Sequence, residues 1–347
     1  MAVTAQPETQ PPGETRRVAR LIFEYTWLVV AVATLLWSVG GTLPSEYRYV
    51  PLLLSMVIFG LPHGALDHVT LPRERGTNLS VRSLAVVGLL YALFATAYAA
   101  VWFTAPTLAF VTFLLLTWFH WGTGDLFPLV LLVERTHLDT RLQRVFVATA
   151  RGAIPLLVPI IAHPVTYREA ATAVVQLFDP TLSLTWLTAP TFRTALGIGF
   201  TALTLTALFA GRLGVVDAET RRSWYYDLTE TALLILLFVV LPPIVALGVY
   251  FPLWHSTRHL ARIALLDDRT AGPLRDGRIG TAALKLGIDA IPMTVGALVI
   301  FALLAVAVPT QLGSMQDLAD AYLVLLAVFT LPHTIIVTWL DKIQHIW

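Results

Sequence analysis

Residues 82–104 read RSLAVVGLLYALFATAYAAVWFT, a stretch whose only charged residue is Arg82. About 20 consecutive apolar residues are enough for a helix to span the hydrocarbon core of a bilayer. Similar stretches recur at about 21–42, 50–71, 107–133, 144–163, 191–211, 228–247, 281–308 and 319–341. The sequence therefore predicts an all-α, polytopic membrane helix bundle with about 8–10 transmembrane passages.

The composition excludes several classes of protein. Hydrophobic residues make up 56% of the 347 residues and charged residues only 13%, whereas a soluble domain carries roughly 25% charged residues. An ordinary cytosolic enzyme is therefore excluded. A formal net charge of +1 provides no basic field for nucleic acid. The absence of cysteine excludes disulfides, thiolate catalysis, zinc fingers and iron–sulfur clusters.

The chain divides into a short tail and one long apolar part. Residues 1–20 are polar and end in a basic cluster, which predicts a disordered tail rather than a signal peptide. Residues 21–347 are expected to form a single transmembrane helical catalytic domain. The interval 248–266 is ambiguous, because it is apolar overall but contains two Arg and two His. It is either a tenth crossing or a re-entrant segment.

The basic residues favour the crossing. If the amino-terminal tail is cytoplasmic and 248–266 crosses, 18 Arg and Lys residues lie inside or at that interface and only Arg48, Arg168 and Arg193 lie outside. This is the bias of the positive-inside rule. We therefore expect a multi-pass protein of the cell membrane with both termini in the cytoplasm.

Nine histidines carry most of the functional signal. Three of them fall in or beside loops, where a solvated or interfacial imidazole is expected: His137, His163 and His345. The other six lie inside predicted spans, where an ionisable group is costly and usually functional. These six are His63, His68, His120, His255, His259 and His333.

Four predicted passages bring imidazoles to one layer of the membrane. In the topology above, His63, His120 and His333 each lie about 13 or 14 residues from the outer end of a helix, which is nearly one depth. His255 and His259 are spaced i, i+4, so both project from one helix face and can bind one metal. The alternative is a hydrogen-bonded polar network that holds the bundle together.

The donor types limit the kind of metal site. All-nitrogen sites suit Fe, Zn, Cu or Ni, and the sequence contains no HExxH motif of a zinc peptidase. A single HxxxH pair is too few for the repeated histidine clusters of a di-iron membrane enzyme. The expectation is a mononuclear site with three or four His and an open position.

Four strings of the sequence resemble the Brp/Blh family of membrane β-carotene dioxygenases. They are PHGALDH at 62–68, FHWG at 119–122, WHSTRH at 254–259 and PH at 332–333. The resemblance implies cleavage of the central 15,15′ double bond of β-carotene by O2, which yields two molecules of all-trans-retinal that could pass to a rhodopsin. It also implies a cofactor, Fe(II), bound by His63, His120, His255 and His259.

Further residues are expected beside the ligands or in the pocket: Asp67, His68, His333 and Asp125. Asp67 follows His63 by one turn and is placed to accept a ring N–H, which would fix the tautomer of a ligand. Asp125 is a second candidate for this role. Both carboxylates could instead pair with Arg258 or Arg262.

A long apolar substrate taken from the bilayer needs an apolar slot lined by aromatic side chains. The residues expected to bind substrate are Trp118, Phe119, Trp121, Tyr250, Phe251 and Trp254. Ordinary packing is the alternative for at least half of them.

Other functions would use the same polar residues. A transporter or proton channel could relay protons through intramembrane His, Asp and Arg. A retinal-binding photoreceptor is disfavoured, because a Schiff base needs a buried Lys and only Lys285 and Lys342 exist, both near predicted membrane edges. A purely structural membrane protein would have no use for His at one depth.

Overall fold

The computed structural model describes residues 12–41, 43–77 and 80–347, and within these ranges every regular element is helical. Residues 1–11 of the expected tail lie outside the described residues, and residues 12–20 form the first turns of α1. The α-helices are α1 (Pro12–Gly40), α2 (Val50–Leu54), α3 (Gly60–Ala65), α4 (Asp67–Glu74), α5 (Val81–Thr104), α6 (Pro106–Gly124), α7 (Leu126–Leu131), α8 (Arg141–Ala162), α9 (Pro164–Gln176), α10 (Pro190–Leu213), α11 (Ala218–Val240), α12 (Pro243–Tyr250), α13 (Thr257–Ala264), α14 (Asp268–Arg275), α15 (Ile279–Ala307) and α16 (Met315–Ile343).

Seven helices of the described residues are long and apolar enough to span a membrane, which confirms the predicted helical membrane bundle. On α15, large apolar side chains such as Leu284, Val295 and Leu303 are open to the surroundings, whereas most of α8 is buried inside the bundle. The seven spans are Arg17–Gly40, Val81–Thr104, Arg141–Ala162, Pro190–Leu213, Ala218–Val240, Ile279–Ala307 and Met315–Ile343.

The other predicted passages are short or interrupted helices. The stretch 50–71 is divided into α2, α3 and the start of α4, and the stretch 107–133 is divided between α6 and α7. The ambiguous interval 248–266 belongs to a helical passage that starts before it, so the predicted span 228–247 is divided between α11 and α12. Helix α11 ends at Val240, and a new helical passage begins at Pro243 and runs through 264, because Pro242 and Pro243 interrupt the chain between them.

A close contact between two helices fixes the position of α6. A Cβ atom on Gly122 would lie 2.0 Å from the carbonyl oxygen of Ala148 on α8, and one on Gly152 would lie 2.0 Å from that of Trp118. Only glycine permits this approach, which is a common way for membrane helices to associate. The contact holds the end of α6 that carries His120 against α8.

A tight turn positions α3. Phe59 has a positive φ of 64°, and Gly60 directly after it approaches the carbonyl oxygen of Ser55 so closely that a Cβ would lie 2.2 Å away. A positive φ is unusual for a bulky residue. This turn ends the first part of the predicted passage and starts a new helix three residues before His63.

Candidate metal centre

Five buried imidazoles from four parts of the chain form one cluster. His63 lies on α3, His120 on α6 and His333 on α16, while His255 lies on a π-helical segment, Phe251–Ser256, and His259 follows it on α13. The ring centres of His120 and His255 are 4.8 Å apart, and those of His63 and His333 are 4.9 Å apart. The structure thus brings together the four sequence-predicted ligands and adds His333.

The donor atoms are close enough to share a metal ion. Candidate ligand atoms of His63, His120 and His255 all lie within 4.8 Å of one another. Those of Asp67, His259 and His333 form a second group with the same spacing. The ring centres of His63 and His259 are 5.7 Å apart, so the two groups adjoin.

Hydrogen bonds fix which ring nitrogen of His63 faces the cluster. Its Nδ1 lies beside the carbonyl oxygen of Gly60 and 3.3 Å from the hydroxyl of Ser256. A carbonyl only accepts, so Nδ1 carries the hydrogen and Nε2 keeps its lone pair. A backbone carbonyl in this role is a usual partner of a metal-binding histidine.

Several ring nitrogens in the cluster have no hydrogen-bond partner although they are buried. They are Nδ1 of His120, Nε2 of His259 and Nε2 of His333. In addition, Nε2 of His120 and Nε2 of His255 face each other at 3.1 Å. Unpartnered buried polar atoms are costly and need an explanation, and nitrogen donors that converge in this way fit a transition metal such as iron.

The π-helical segment 251–256 positions His255 in the cluster. Pro252 has no N–H to donate, and the hydroxyl of Thr257 donates to its carbonyl oxygen at 3.0 Å. His255 therefore lies on a π turn that runs into α13, and not on one continuous α-helix with His259 as the i, i+4 spacing predicts. Such π turns occur frequently at functional sites.

The two predicted carboxylates differ in their partners. Asp67 accepts a hydrogen bond from the hydroxyl of Tyr91 at 2.6 Å and lies 2.8 Å from Nδ1 of His333, so it orients His333 and not His63. Asp125 accepts from the indole N–H of Trp254 at 3.2 Å and lies 3.7 Å from the guanidinium of Arg258. The alternative pairing with Arg258 is thus observed for Asp125.

His68 does not join the cluster. Its Nδ1 lies 2.8 Å from the carbonyl oxygen of Ala65, and neither group of candidate ligand atoms among the described residues includes it. His63 lies on α3 whereas His68 lies on the separate helix α4, where the Ala65 carbonyl holds its Nδ1. The expected pocket role of His68 has no support in the structure.

An apolar cavity of about 490 Å³ adjoins the cluster. His63, His120, His255 and His333 form part of its wall, and so do two of the predicted aromatic residues, Trp121 and Phe251. The Phe251 ring lies 5.4 Å from that of His63 and is stacked on that of His255 at 6.3 Å. A substrate in this cavity would therefore lie against the imidazoles.

Four predicted substrate-binding aromatics do not line the cavity. Trp118 donates its indole N–H to the carbonyl of Thr149 at 2.7 Å, and Phe119 is 47% exposed on the outside of the bundle. Tyr250 packs behind Trp121, with ring centres 5.0 Å apart. Trp254 is fully buried beneath the guanidinium of Arg258.

A family model described as beta-carotene 15,15′-dioxygenase matches residues 54–341. The chain belongs to this family of enzymes. It is 40% identical to a probable beta-carotene 15,15′-dioxygenase Blh of Halobacterium salinarum, with 95% of each chain covered. It is 29% identical to a probable beta-carotene 15,15′-dioxygenase Brp of the same species, over 90% of this chain and 88% of the relative.

A more distant relative matches a smaller part of the chain. A beta-carotene 15,15′-dioxygenase of an uncultured marine bacterium is 27% identical over 60% of this chain and 67% of its own. No solved structure matches the chain. The family match begins inside α2 and ends near the end of α16, so it includes every element that carries an imidazole of the cluster.

For this member of the β-carotene 15,15′-dioxygenase family, sequence reasoning missed part of the cavity wall. Five further aromatic rings from α5, α6, α9 and α16 line it, and so does a row of small residues on α5. Gly88, Ala92 and Thr96 recur every four residues, which places them on one helix face and is the signal that could have revealed this wall. The missed aromatic residues are Tyr91, Phe110, Phe113, Tyr167 and Phe329.

The expectation for His137 was wrong. This imidazole is fully buried, with Nδ1 2.9 Å from the hydroxyl of Ser223 and Nε2 3.4 Å from the carboxylate of Asp227. It lies beside a loop in sequence but packs against α11. Buried polar partners rather than water therefore surround it.

Proposed function

We propose that this chain catalyses the cleavage of the central 15,15′ double bond of β-carotene by O2, with Fe(II) as cofactor, to give two molecules of all-trans-retinal. The observation that carries the proposal is a cluster of five buried imidazoles, four of which line the wall of an apolar cavity inside a membrane helix bundle. Membership of the family supplies the substrate and the bond that is cleaved.

The iron is assigned to His63, His120, His255 and His259, in line with the resemblance. When bound, it supplies the electrons that allow O2 to react with a polyene. The histidines would hold it as neutral ligands, and the nearby carboxylate of Asp67 would offset its positive charge in a medium of low dielectric constant.

The cavity supports an apolar substrate that enters from the bilayer. Its wall is built mainly of aliphatic and aromatic side chains, and four imidazoles of the cluster form part of it. Trp121 and Phe251 would position one double bond beside the histidines and exclude water from it. A substrate dissolved in lipid reaches such a site without passing through water, and retinal released into the membrane could pass to a rhodopsin.

The proposed location is the cell membrane, with both termini in the cytoplasm. The seven apolar helices support membrane insertion. The basic residues support the orientation through the positive-inside rule. Reporter fusions to each end of the chain test it.

The first experiment uses cells that synthesise β-carotene. The chain and a His255→Ala variant are expressed, and retinal and β-carotene in extracts are quantified. A matched control is His345→Ala, which removes an exposed histidine outside the cluster. Retinal is expected with the unchanged chain and with His345→Ala but not with His255→Ala. If the unchanged chain reaches the membrane and leaves β-carotene intact, the proposal is wrong.

A proton channel or transporter is the second candidate, because a buried group of charged residues extends away from the cluster. Arg151 contacts Asp227 at 3.1 Å and Glu230 at 2.8 Å, and Arg258 also contacts Glu230. Purified protein in liposomes should carry protons under this alternative. Proton flux that is lost in Glu230→Gln, together with absent retinal formation, would favour it.

A further inference from the structure

His333 occupies a central position in the imidazole cluster. Its ring centre lies 4.7 Å from that of His120, 4.9 Å from that of His63 and 5.1 Å from that of His259. It is only 4% exposed. A residue of the outer pocket wall would contact one of these rings, whereas His333 contacts three that come from three different segments of the chain.

A chain of two hydrogen bonds fixes the tautomer of His333. Its Nδ1 lies 2.8 Å from Oδ2 of Asp67, and the hydroxyl of Tyr91 donates to the same oxygen at 2.6 Å. A carboxylate only accepts, so Nδ1 of His333 carries the hydrogen. The ring then keeps the lone pair of Nε2, and the carboxylate makes that nitrogen more basic.

The other ring nitrogen has no partner inside the protein. Nε2 of His333 is buried without a hydrogen bond, as is Nε2 of His259. An acceptor left unpaired in this way costs free energy. One ring nitrogen of His333 lies within 4.8 Å of a ring nitrogen of His259, and His333 also forms part of the cavity wall. Because Asp67 pairs with Nδ1 of His333, Nε2 is the nitrogen that remains available for a metal.

We propose that His333 is a fifth imidazole ligand of the metal, bound through Nε2, and that Asp67 and Tyr91 are positioning residues that act through it. The inference rests on the proposed metal-dependent function and goes beyond the four ligands that the resemblance implies. The arrangement joins α5, α4 and α16, so the metal site and the packing of these helices depend on each other.

The test measures metal binding on the purified full-length protein in detergent. The metal is removed, Co²⁺ is added as a spectroscopic probe, and its affinity and ligand-field bands are recorded. Iron content after expression is measured in parallel by mass spectrometry. The variants are His333→Ala, Asp67→Asn and Tyr91→Phe, and the matched control is His68→Ala, which removes a neighbouring buried histidine outside the cluster.

The proposal predicts a graded loss of metal affinity across the variants. His333→Ala should change the ligand-field bands and weaken Co²⁺ binding the most. Asp67→Asn should weaken Co²⁺ binding about 10- to 100-fold, and Tyr91→Phe should weaken it less, while His68→Ala should match the unchanged protein. In a further variant, His333→Gly, added imidazole should restore the original ligand-field bands. Added imidazole would not restore them if the His333 side chain were only structural.

Unchanged bands and affinity in His333→Ala would overturn the inference. If His333→Ala does not accumulate, Asp67→Asn decides the question, because asparagine keeps the shape of the aspartate side chain. Folded Asp67→Asn protein with unchanged Co²⁺ affinity would also overturn the inference. If the unchanged protein binds neither Co²⁺ nor Fe²⁺, the proposed metal-dependent function itself is wrong.

Discussion

Histidines inside an apolar sequence are informative because hydrocarbon offers no water to solvate an imidazole. For this reason His63, His120 and His333 could be placed at nearly one depth from the sequence, and the pair His255 and His259 within reach of them. The structure brings these imidazoles together. The resemblance, and not their depth, selects four of the five as ligands. The partner of Asp67 could not be predicted. The spacing of one helical turn predicts that Asp67 pairs with His63. In the structure α16 brings His333 to Asp67 instead, and the position of α16 depends on tertiary packing.

The pairing of Arg258 leads to a prediction about stability. Arg258 contacts Glu230 and Thr26 and lies over the Trp254 ring at 3.8 Å. Replacing Arg258 with Ala leaves the buried carboxylate of Glu230 with less compensation, and breaking a buried pair costs about 3–5 kcal/mol. We expect Arg258→Ala to lower the folded yield and the Tm in detergent.

A double variant separates charge from packing. Arg258→Met together with Glu230→Gln removes both charges and keeps side-chain volume, so it should regain most of the Tm. If Arg258→Ala is as stable as the unchanged protein, the buried network does not support the fold in this way.

At the scale of elements, long helices were predictable and interrupted helices were not. A span such as α5 is defined by its own apolar residues, whereas the turn before α3 depends on the positive φ of Phe59 and on the contact between Gly60 and Ser55. The π turn at 251–256 likewise has no apolar period to reveal it. The imidazoles therefore lie mainly on the elements whose geometry sequence reasoning predicts least well.

The contact between α6 and α8 predicts that a small substitution displaces His120. In Gly122→Ala the new Cβ would lie 2.0 Å from the carbonyl oxygen of Ala148, so the helices must separate. We expect a lower Tm and weaker Co²⁺ binding, because His120 lies two residues away. Gly199→Ala on α10 is the control, since its Cβ meets no atom within 4 Å. Equal metal affinity in both variants would contradict this argument.

The small-residue face of α5 predicts a variant that fills the cavity. Gly88 lines the cavity, and no atom lies within 4 Å of a Cβ placed there, so Gly88→Leu should fold and project into the cavity. We expect reduced retinal formation with unchanged metal content. Gly199→Leu, on a helix that does not line the cavity, is the matched control. Full activity in Gly88→Leu would show that substrate does not occupy this part of the cavity.

For the whole molecule, the buried charges suggest how a metal is accommodated. Among the described residues, Asp67 contacts Tyr91 and His333 and no arginine or lysine, whereas Arg151 and Arg258 share three carboxylates. Arg262 pairs with Asp341 at 2.7 Å. If these groups are ionised, carboxylates exceed guanidinium groups by two. A divalent cation bound by neutral imidazoles balances that excess, which a medium of low dielectric constant requires.

This balance predicts that metal removal destabilises the bundle as a whole. Binding to the folded state alone adds about 2.7 kcal/mol at a free metal concentration of about 100 times the Kd. The Tm of the metal-free protein in detergent should therefore rise on addition of Fe²⁺ or Co²⁺ and fall again with excess chelator. In His255→Ala the rise should be much smaller, because the cluster loses a ligand while the carboxylates remain. A Tm that does not respond to metal in the unchanged protein would show that the excess charge is neutralised by protons instead.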